Sequence, residues 1–334
     1  MKRIKYILGV LLLLTGSSCT NESKTEKYQN KRDNIDVHSS IKEIQTGDVL
    51  IGSIARPFIL GDYLIIGDYK SSDKLIRVFD KNSFDYLAST AYVGQGPGEI
   101  TIMGNIGTDE MRRKFYVSDH GKQMIFSYDI DSVLANPYYM PEVKLKMNKA
   151  QFPDKYNYVN DTLSIALLIE PTSVSKFKQS VAKWNMQTGT FTPMKYQHPD
   201  IKKKRISFDA SIEKGIYVEC YTYHDLMSIC RLDDGLLYNI YGPAWDEQES
   251  NKVHHYGSVK FCGDKIIASY SGGENFSDEY APTQFLVFDL EGNYLKTLDV
   301  GYKIVDFCYD RENNRLIINF NDEIQFGYCL LYTS

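Results

Sequence analysis

Apolar and polar positions alternate along most of this chain in short runs, and one such run keeps returning. It reads Ile76-Arg77-Val78-Phe79-Asp80, then Met124-Ile125-Phe126-Ser127-Tyr128-Asp129, then Val181-Ala182-Lys183-Trp184-Asn185. Later copies are Ser228-Ile229-Cys230-Arg231-Leu232-Asp233 and Phe285-Leu286-Val287-Phe288-Asp289, with a worn one at Gly327-Tyr328-Cys329-Leu330-Leu331-Tyr332. β-Branched and aromatic residues closing on Asp or Asn describe a strand that runs into a turn. The clear copies end 49, 56, 48 and 56 residues apart, a spacing that suits a four-stranded propeller blade with its loops. Six copies predict an all-β, six-bladed propeller of four-stranded antiparallel blades. The sixth blade runs out of chain before a fourth strand. Residues near Ile41 to Ile51 have no other partner, so they are expected to complete that blade and close the ring, removing two exposed edges.

Phase follows from the same phrase. Turns after the inner strands (Gly61-Asp62, Gly263-Asp264) and after the third strands (Asp80-Lys81-Asn82, Gln187-Thr188-Gly189, Asp234-Gly235, Glu291-Gly292-Asn293) are tight and share one plain face. Crossovers between blades, and loops between second and third strands, fall on the opposite face. There the chain spends its long stretches: 94–100, 171–178, 197–205, 242–256 and 271–282. Recognition usually lives on such loops. Five of the six histidines (His120, His198, His224, His254 and His255) map to that face, where they are either ordinary loop residues or a polar mouth around the channel. The stretch from Ser271 to Tyr280, with its Gly272-Gly273 pair, reads as a mobile lip.

Composition bounds the function classes. The chain has 334 residues, 43% of them hydrophobic and 24% charged, with a formal net charge of −5. That balance excludes the basic footprint of a nucleic-acid binder; Lys202-Lys203-Lys204-Arg205 is the one strong basic run and reads as a solvated loop. The N-terminus carries Lys2, Arg3 and Lys5 before an apolar Ile7–Leu14, too short to span a bilayer, which marks 1–18 as a signal peptide. Small residues up to Cys19 resemble a bacterial lipobox, with Gly16 standing where the usual pattern has Leu; a plain secretory signal is the alternative. The resemblance implies a lipid-bearing N-terminal Cys19. Losing the three n-region cations would take the charge from −5 to −8. Residues 19–40 are polar and expected to form a flexible tether, leaving 41–334 for the propeller. Beyond Cys19 there are Cys220, Cys230, Cys262, Cys308 and Cys329. An odd number leaves at least one thiol unpaired within the chain; Cys220 and Cys230, on neighbouring strands, are either a bridge or two buried thiols.

The crossover Tyr92-Val93-Gly94-Gln95-Gly96-Pro97-Gly98-Glu99, together with the lipobox and six blades, resembles the TolB-like six-bladed propeller lipoproteins of Bacteroidales over residues 41–334. The resemblance implies the fold, a lipid-anchored place in the cell envelope and, without an acidic run after Cys19, an outer-membrane position facing the periplasm. It brings no established activity. In physical terms the glycines of this phrase permit unusual backbone angles, Pro97 stiffens the crossing, and Glu99 can accept backbone N–H bonds or meet a ligand.

Three function classes remain. A binding module would hold a glycan or peptide at the loop-rich face, through Asp68, Gln95, Glu99, His120, His224, His254, His255, Glu274 and Tyr280, with Tyr92, Tyr223, Tyr256 and Phe276 available for stacking. A metal-dependent hydrolase or lactonase would need several converging oxygens for calcium at the channel mouth; Asn105, Asn160, Asp161, Asp209 and Asp306 are the candidates, without an ordered motif. Paired carboxylates for glycoside cleavage would come from Asp68, Asp119, Asp225 and Glu274. The third class is an envelope protein–protein scaffold. No GxSxG elbow supports serine-hydrolase chemistry, and binding is the preferred reading.

Overall fold

The computed structural model describes residues 25–233, 235–248 and 250–331; the signal peptide and Cys19 lie outside these residues. Six four-stranded antiparallel sheets form the ring. Their inner strands are Ala55–Leu60, Met103–Asp109, Phe152–Asn160, Ile206–Ser211, Val253–Cys262 and Ile304–Asp310. Blades 1 to 5 each run outward through their next three strands in chain order, as blade 1 does through Tyr63–Asp68, Lys74–Asp80 and Tyr86–Tyr92.

Both faces of every blade are buried, because side chains alternate across a strand and each sheet has a neighbour on either side. Blade 1 sends Ile65, Ile76 and Val78 against blade 2, where they meet Val117 and Phe126. Leu64, Ile66 and Phe79 go the other way, against Cys308 and Ile317 of blade 6. Among the described residues six apolar clusters occupy the six seams between blades.

The recurring Asp has one local job. Asp80 Oδ1 accepts from the backbone of Asn82 and Ser83, each at 2.8 Å, Asn185 Oδ1 from Gln187 and Thr188, and Asp289 Oδ1 from Glu291 and Asn293. A short side chain satisfying the N–H groups two to four residues on closes the turn. Blade 2 uses the same oxygen differently: Asp129 accepts from Ser132 N at 2.8 Å and caps a short helix, Ile130–Ala135, before the outer strand Glu142–Lys146.

Ring closure follows the expectation. Lys42–Glu43 pairs antiparallel with the third strand of blade 6, Phe326–Leu330, placing Glu43 beside Gly327 and Lys42 beside Tyr328. The tether does not: from residue 25 onward the N-terminal segment is ordered against the ring. Glu26–Tyr28 adds a fifth, parallel strand to blade 4, with Tyr28 stacked on Tyr241 at 4.7 Å, and Asn34–Asp36 does the same for blade 5. Polar residues suffice here because the backbone ladder and a few side-chain clasps hold the strands; Lys27 Nζ donates to Glu291 O at 2.6 Å and Asn293 Oδ1 at 2.8 Å.

Two further expectations change. The stretch 171–178 is no loop, since Leu163–Ser173 and Lys176–Asn185 form one long hairpin rising from blade 3. The lip at 271–280 is pinned: its first residues extend the strand Lys265–Glu274, and Ser271 Oγ and Ser277 Oγ donate to Glu279 O at 2.6 Å and Glu274 O at 2.7 Å.

All five described cysteines are buried free thiols. Cys220 faces the seam between blades 4 and 5, whereas Cys230 faces that between blades 3 and 4, because Cys220 pairs with Met227 and Cys230 with Tyr217. They lie on opposite faces of one sheet and do not bridge. Burial raises all five thiol pKa values, so these thiols are expected to stay silent toward an aromatic disulfide reagent in the native state and to react fully in denaturant; a fast native reaction would contradict this packing.

Candidate functional site

Acidic residues between the end of a second strand and the start of the third hold the crossovers in place. Asp68 accepts from Gly52 N at 3.0 Å and Lys70 N at 3.1 Å. Asp119, wholly buried, accepts from Thr101, Ile102, Gly121 and Lys122 between 2.8 and 3.2 Å, and Asp225 accepts from Ala244 N at 3.1 Å. Oxygens so engaged are turned from solvent toward backbone. Glu99 behaves alike: its carboxylate folds back onto Gly96 N at 2.6 Å, and a methyl group at Gly94 or Gly96 would collide with it. Lys122 Nζ closes the same turn through the carbonyls of Gly96 and Glu99, both at 2.7 Å. Gln95 stays exposed beside it.

The histidines share the loop-rich face without forming one mouth. His120 Nε2 meets Pro153 O at 3.1 Å, with its ring against Phe152. His198 and His224 flank Trp245, and His198 Nε2 reaches the Tyr241 hydroxyl at 3.0 Å. His254 Nδ1 meets Tyr280 O at 2.7 Å and its ring stacks on Tyr280, so these two residues come together; Glu274 is exposed on the same ordered flap. His255 is buried beside Tyr270, whose hydroxyl lies 3.3 Å from Nδ1. Of the residues offered for stacking, Tyr256 is buried in the seam between blades 4 and 5, the Lys74 ammonium sits over Tyr92, and Phe276 is exposed.

Burial, reinforced by Arg32, His224 and His254 against the opposing pull of Asp225, pushes the His255 pKa from 6.5 down to about 4. A folded state that refuses a proton loses stability as the unfolded chain takes it up. The contribution of neutral His255 is therefore complete above pH 6.5 and disappears as pH falls toward 4, a loss of roughly 3 kcal/mol. Urea unfolding at pH 7 and pH 4.5 measures it: His255→Gln is expected to shrink the difference between the two pH values, and equal differences in both proteins would refute the assignment.

The channel itself is filled by charge. Arg56 Nε lies 3.5 Å from Asp306 Oδ2 and its guanidinium stacks on Tyr69. Asp209 accepts from Asn157 Nδ2 at 2.6 Å and Phe261 N at 2.7 Å. Burial opposes ionisation of Asp306, but Lys155, Arg56 and Lys260 outweigh it and hold its carboxyl below the usual range. For Lys155, burial and then the repulsion of Arg56 lower the ammonium pKa. The other proposed metal ligands diverge. Asn105 bonds the carbonyls of Ile106 and Tyr156, Asn160 accepts from Thr162 in a plain-face turn, and Asp161 in that turn is neutralised by Lys144 and Arg112. Among the described residues no three His, Cys, Asp or Glu side chains gather as a metal site.

A concave site does exist on the loop-rich face, where sequence reasoning saw only a solvated loop. The long hairpin of blade 3 forms one wall with Lys176, Phe177 and Lys178; the crossover from His198 to Arg205 forms the other, and Tyr221 lines the hollow, of about 850 Å³. Both walls are fixed. Lys204 Nζ bonds Glu219 Oε1 at 2.7 Å, Tyr221 donates to Glu219 Oε2 at 3.1 Å, and the Arg205 guanidinium lies 3.9 Å over the Phe177 ring. A second hollow of about 510 Å³, lined by Tyr223, His224 and Lys252, shares Lys203 and Arg205 with the first. Lys202–Arg205 was the available signal, but its opposite wall comes from 24 to 29 residues earlier in the chain, measured from Lys202 to Lys178 and from Arg205 to Lys176.

No family model matches the sequence, and no curated protein does. Solved structures match through the fold. A Bacteroides fragilis protein described as exported superposes with a TM-score of 0.59 at 11% identity, over 93% of this chain and 100% of that one. A member of the DUF4221 family from Bacteroides vulgatus gives 0.57 at 11%, over 87% and 95%. The luciferin-regenerating enzyme gives 0.57 at 8%, over 86% and 94%. At such identities the likeness establishes the six-bladed propeller and nothing of activity.

Proposed function

We propose that this chain is an exported, lipid-anchored propeller of the cell envelope, of the TolB-like kind, which binds a polar ligand (a glycan or a peptide) in the hollow between blades 3 and 4. One observation carries the reading: a deep concavity with walls locked by buried hydrogen bonds, on the face that holds the long loops. The exported neighbour and the signal-like N-terminus support the location, with Cys19 as the anchored residue and the outer membrane as its site. The channel offers less to a ligand, since its cations and carboxylates neutralise one another.

Thermal-shift screening against neutral and charged oligosaccharides and peptides tests the proposal. Thr172→Trp, an exposed position on the hollow's wall, is expected to remove every hit, while a tryptophan at exposed Asn160 on the plain face keeps them. Hits that survive Thr172→Trp would move the site elsewhere. Cys19→Ala is expected to abolish palmitate labelling and release the protein from the membrane fraction.

A further inference from the structure

The hollow has a sign. Lys176 and Lys178 stand two apart on one strand, Lys202 and Lys203 face them from the crossover, and Lys252 joins from the next crossover. Among the described residues of the lining one is a carboxylate, Glu170, and it accepts from Gln151 Nε2 at 2.8 Å. Lys204 and Arg205 are committed to the walls: Lys204 pairs with Glu219 at 2.6 Å, and Arg205 donates to Lys204 O at 2.7 Å and stacks on Phe177. By contrast Lys176, Lys178, Lys202 and Lys252 are exposed and make no ion pair with any described residue. All this sits on a chain whose net charge is −5. Cations concentrated around a concavity focus the field there and attract ligands of opposite sign.

We propose that the two hollows form one trough for a polyanionic oligosaccharide, a chain of sugar rings carrying carboxylate or sulfate groups. The inference rests on the reading above that this hollow is the binding site. Shape selects a slender ligand over a membrane: a flat bilayer would meet the hairpin tip but not the lining, where half-buried Tyr223 offers a ring face and Gln179 and Gln197 offer hydrogen bonds. Lysine ammoniums suit scattered sulfates and carboxylates as point charges.

Calorimetry with the full-length protein separates the possibilities. The probes are a sulfated heparin hexasaccharide, a hexagalacturonate and uncharged maltohexaose, each at about 50 mM and about 300 mM NaCl. One of the acidic probes is expected to bind and to weaken at least about tenfold at the higher salt, because binding releases counterions. The combined Lys176→Ala, Lys178→Ala, Lys202→Ala and Lys252→Ala variant is expected to lose at least about tenfold in affinity, with its unfolding midpoint unchanged since all four side chains are exposed. Equal binding of acidic and neutral hexasaccharides, indifference to salt, or unchanged affinity in the fourfold variant would overturn the proposal. A neutral sugar or peptide that binds and is lost with Thr172→Trp would retain the hollow and remove its polyanion. Binding to anionic lipid vesicles or single-stranded DNA, with none to the acidic sugars, would overturn it in favour of those surfaces.

Discussion

Arg32→Met is expected to lower the stability of the folded protein by about 3–5 kcal/mol, the cost of leaving a buried ionic partner alone. Arg32 reaches from the N-terminal segment into the cleft between blades 4 and 5, where its guanidinium meets Asp225 at 2.6 Å; the side chains are 11% and 0% exposed. Its flat face covers the Tyr270 ring at 4.4 Å, and the Tyr256 hydroxyl stands 3.4 Å away. Methionine keeps most of the stem's packing and deletes the charge, so Asp225 would retain Ala244 N but face Tyr256 and Tyr270 without a cation. Urea unfolding at pH 7 measures the loss. The neighbouring pair Lys31–Asp33, with side chains 81% and 74% exposed, supplies the control: Lys31→Met should leave the unfolding midpoint essentially unchanged, since exposed pairs contribute little. Limited proteolysis is also expected to cut Arg32→Met between residues 26 and 36 faster than wild type. Equal unfolding midpoints for the two variants would show that Arg32 is not the clasp described.

Trp184→Ala is expected to cost a similar amount, about 3–5 kcal/mol, and for a different reason. Trp184, among the largest wholly buried side chains, fills the seam between blades 2 and 3, stacked on Phe191 at 5.3 Å and edge-on to Tyr156 at 5.3 Å. Tyr156 cannot move in to close a cavity, because its hydroxyl is tied to Tyr116 O at 2.7 Å. The indole N–H is buried with no partner among the described residues, and burying such a donor is itself unfavourable. Phenylalanine removes that donor and keeps a ring, so Trp184→Phe should cost well under half as much as Trp184→Ala. Comparable losses in both would mean that the nitrogen does have a partner, or that the seam tolerates no change of shape.

How much of this could be read beforehand depended on which force acts over which distance along the chain. The recurring Asp was legible because its work is local: Asp80, Asn185 and Asp289 bond residues two to four positions on, so spacing in sequence is spacing in space. Ring closure was legible by elimination, since blade 6 lacked a strand and 41–51 lacked a partner. The extra strands at 26–28 and 34–36 were not. Glu-Lys-Tyr and Asn-Ile-Asp are too short to show alternation, and their partners, near residues 239 and 297, were invisible from the segment itself. Histidines on the loop-rich face were placed correctly, yet burial of His198, His224 and His255 against aromatic rings depends on Trp245, Tyr241 and Tyr270 arriving from other elements. The basic run at 202–205 is legible as residues but not as one wall of a hollow, because the opposite wall is set by the pairing of Leu163–Ser173 with Lys176–Asn185, not by local sequence.

The N-terminal segment has a consequence for the order of assembly. Its three strands find their partners at residues 239–241, 297–299 and 327–328, so each waits during synthesis for a strand far later in the sequence. Until blade 4 has emerged, blades 1 to 3 can form in turn while 26–28 stays without its partner; 34–36 then waits for blade 5 and 42–43 for blade 6. An emerging chain therefore secures this segment in steps, from 26–28 to 42–43, and the last of them closes the ring. The order in which the three strands of this segment dock is thereby set by topology alone.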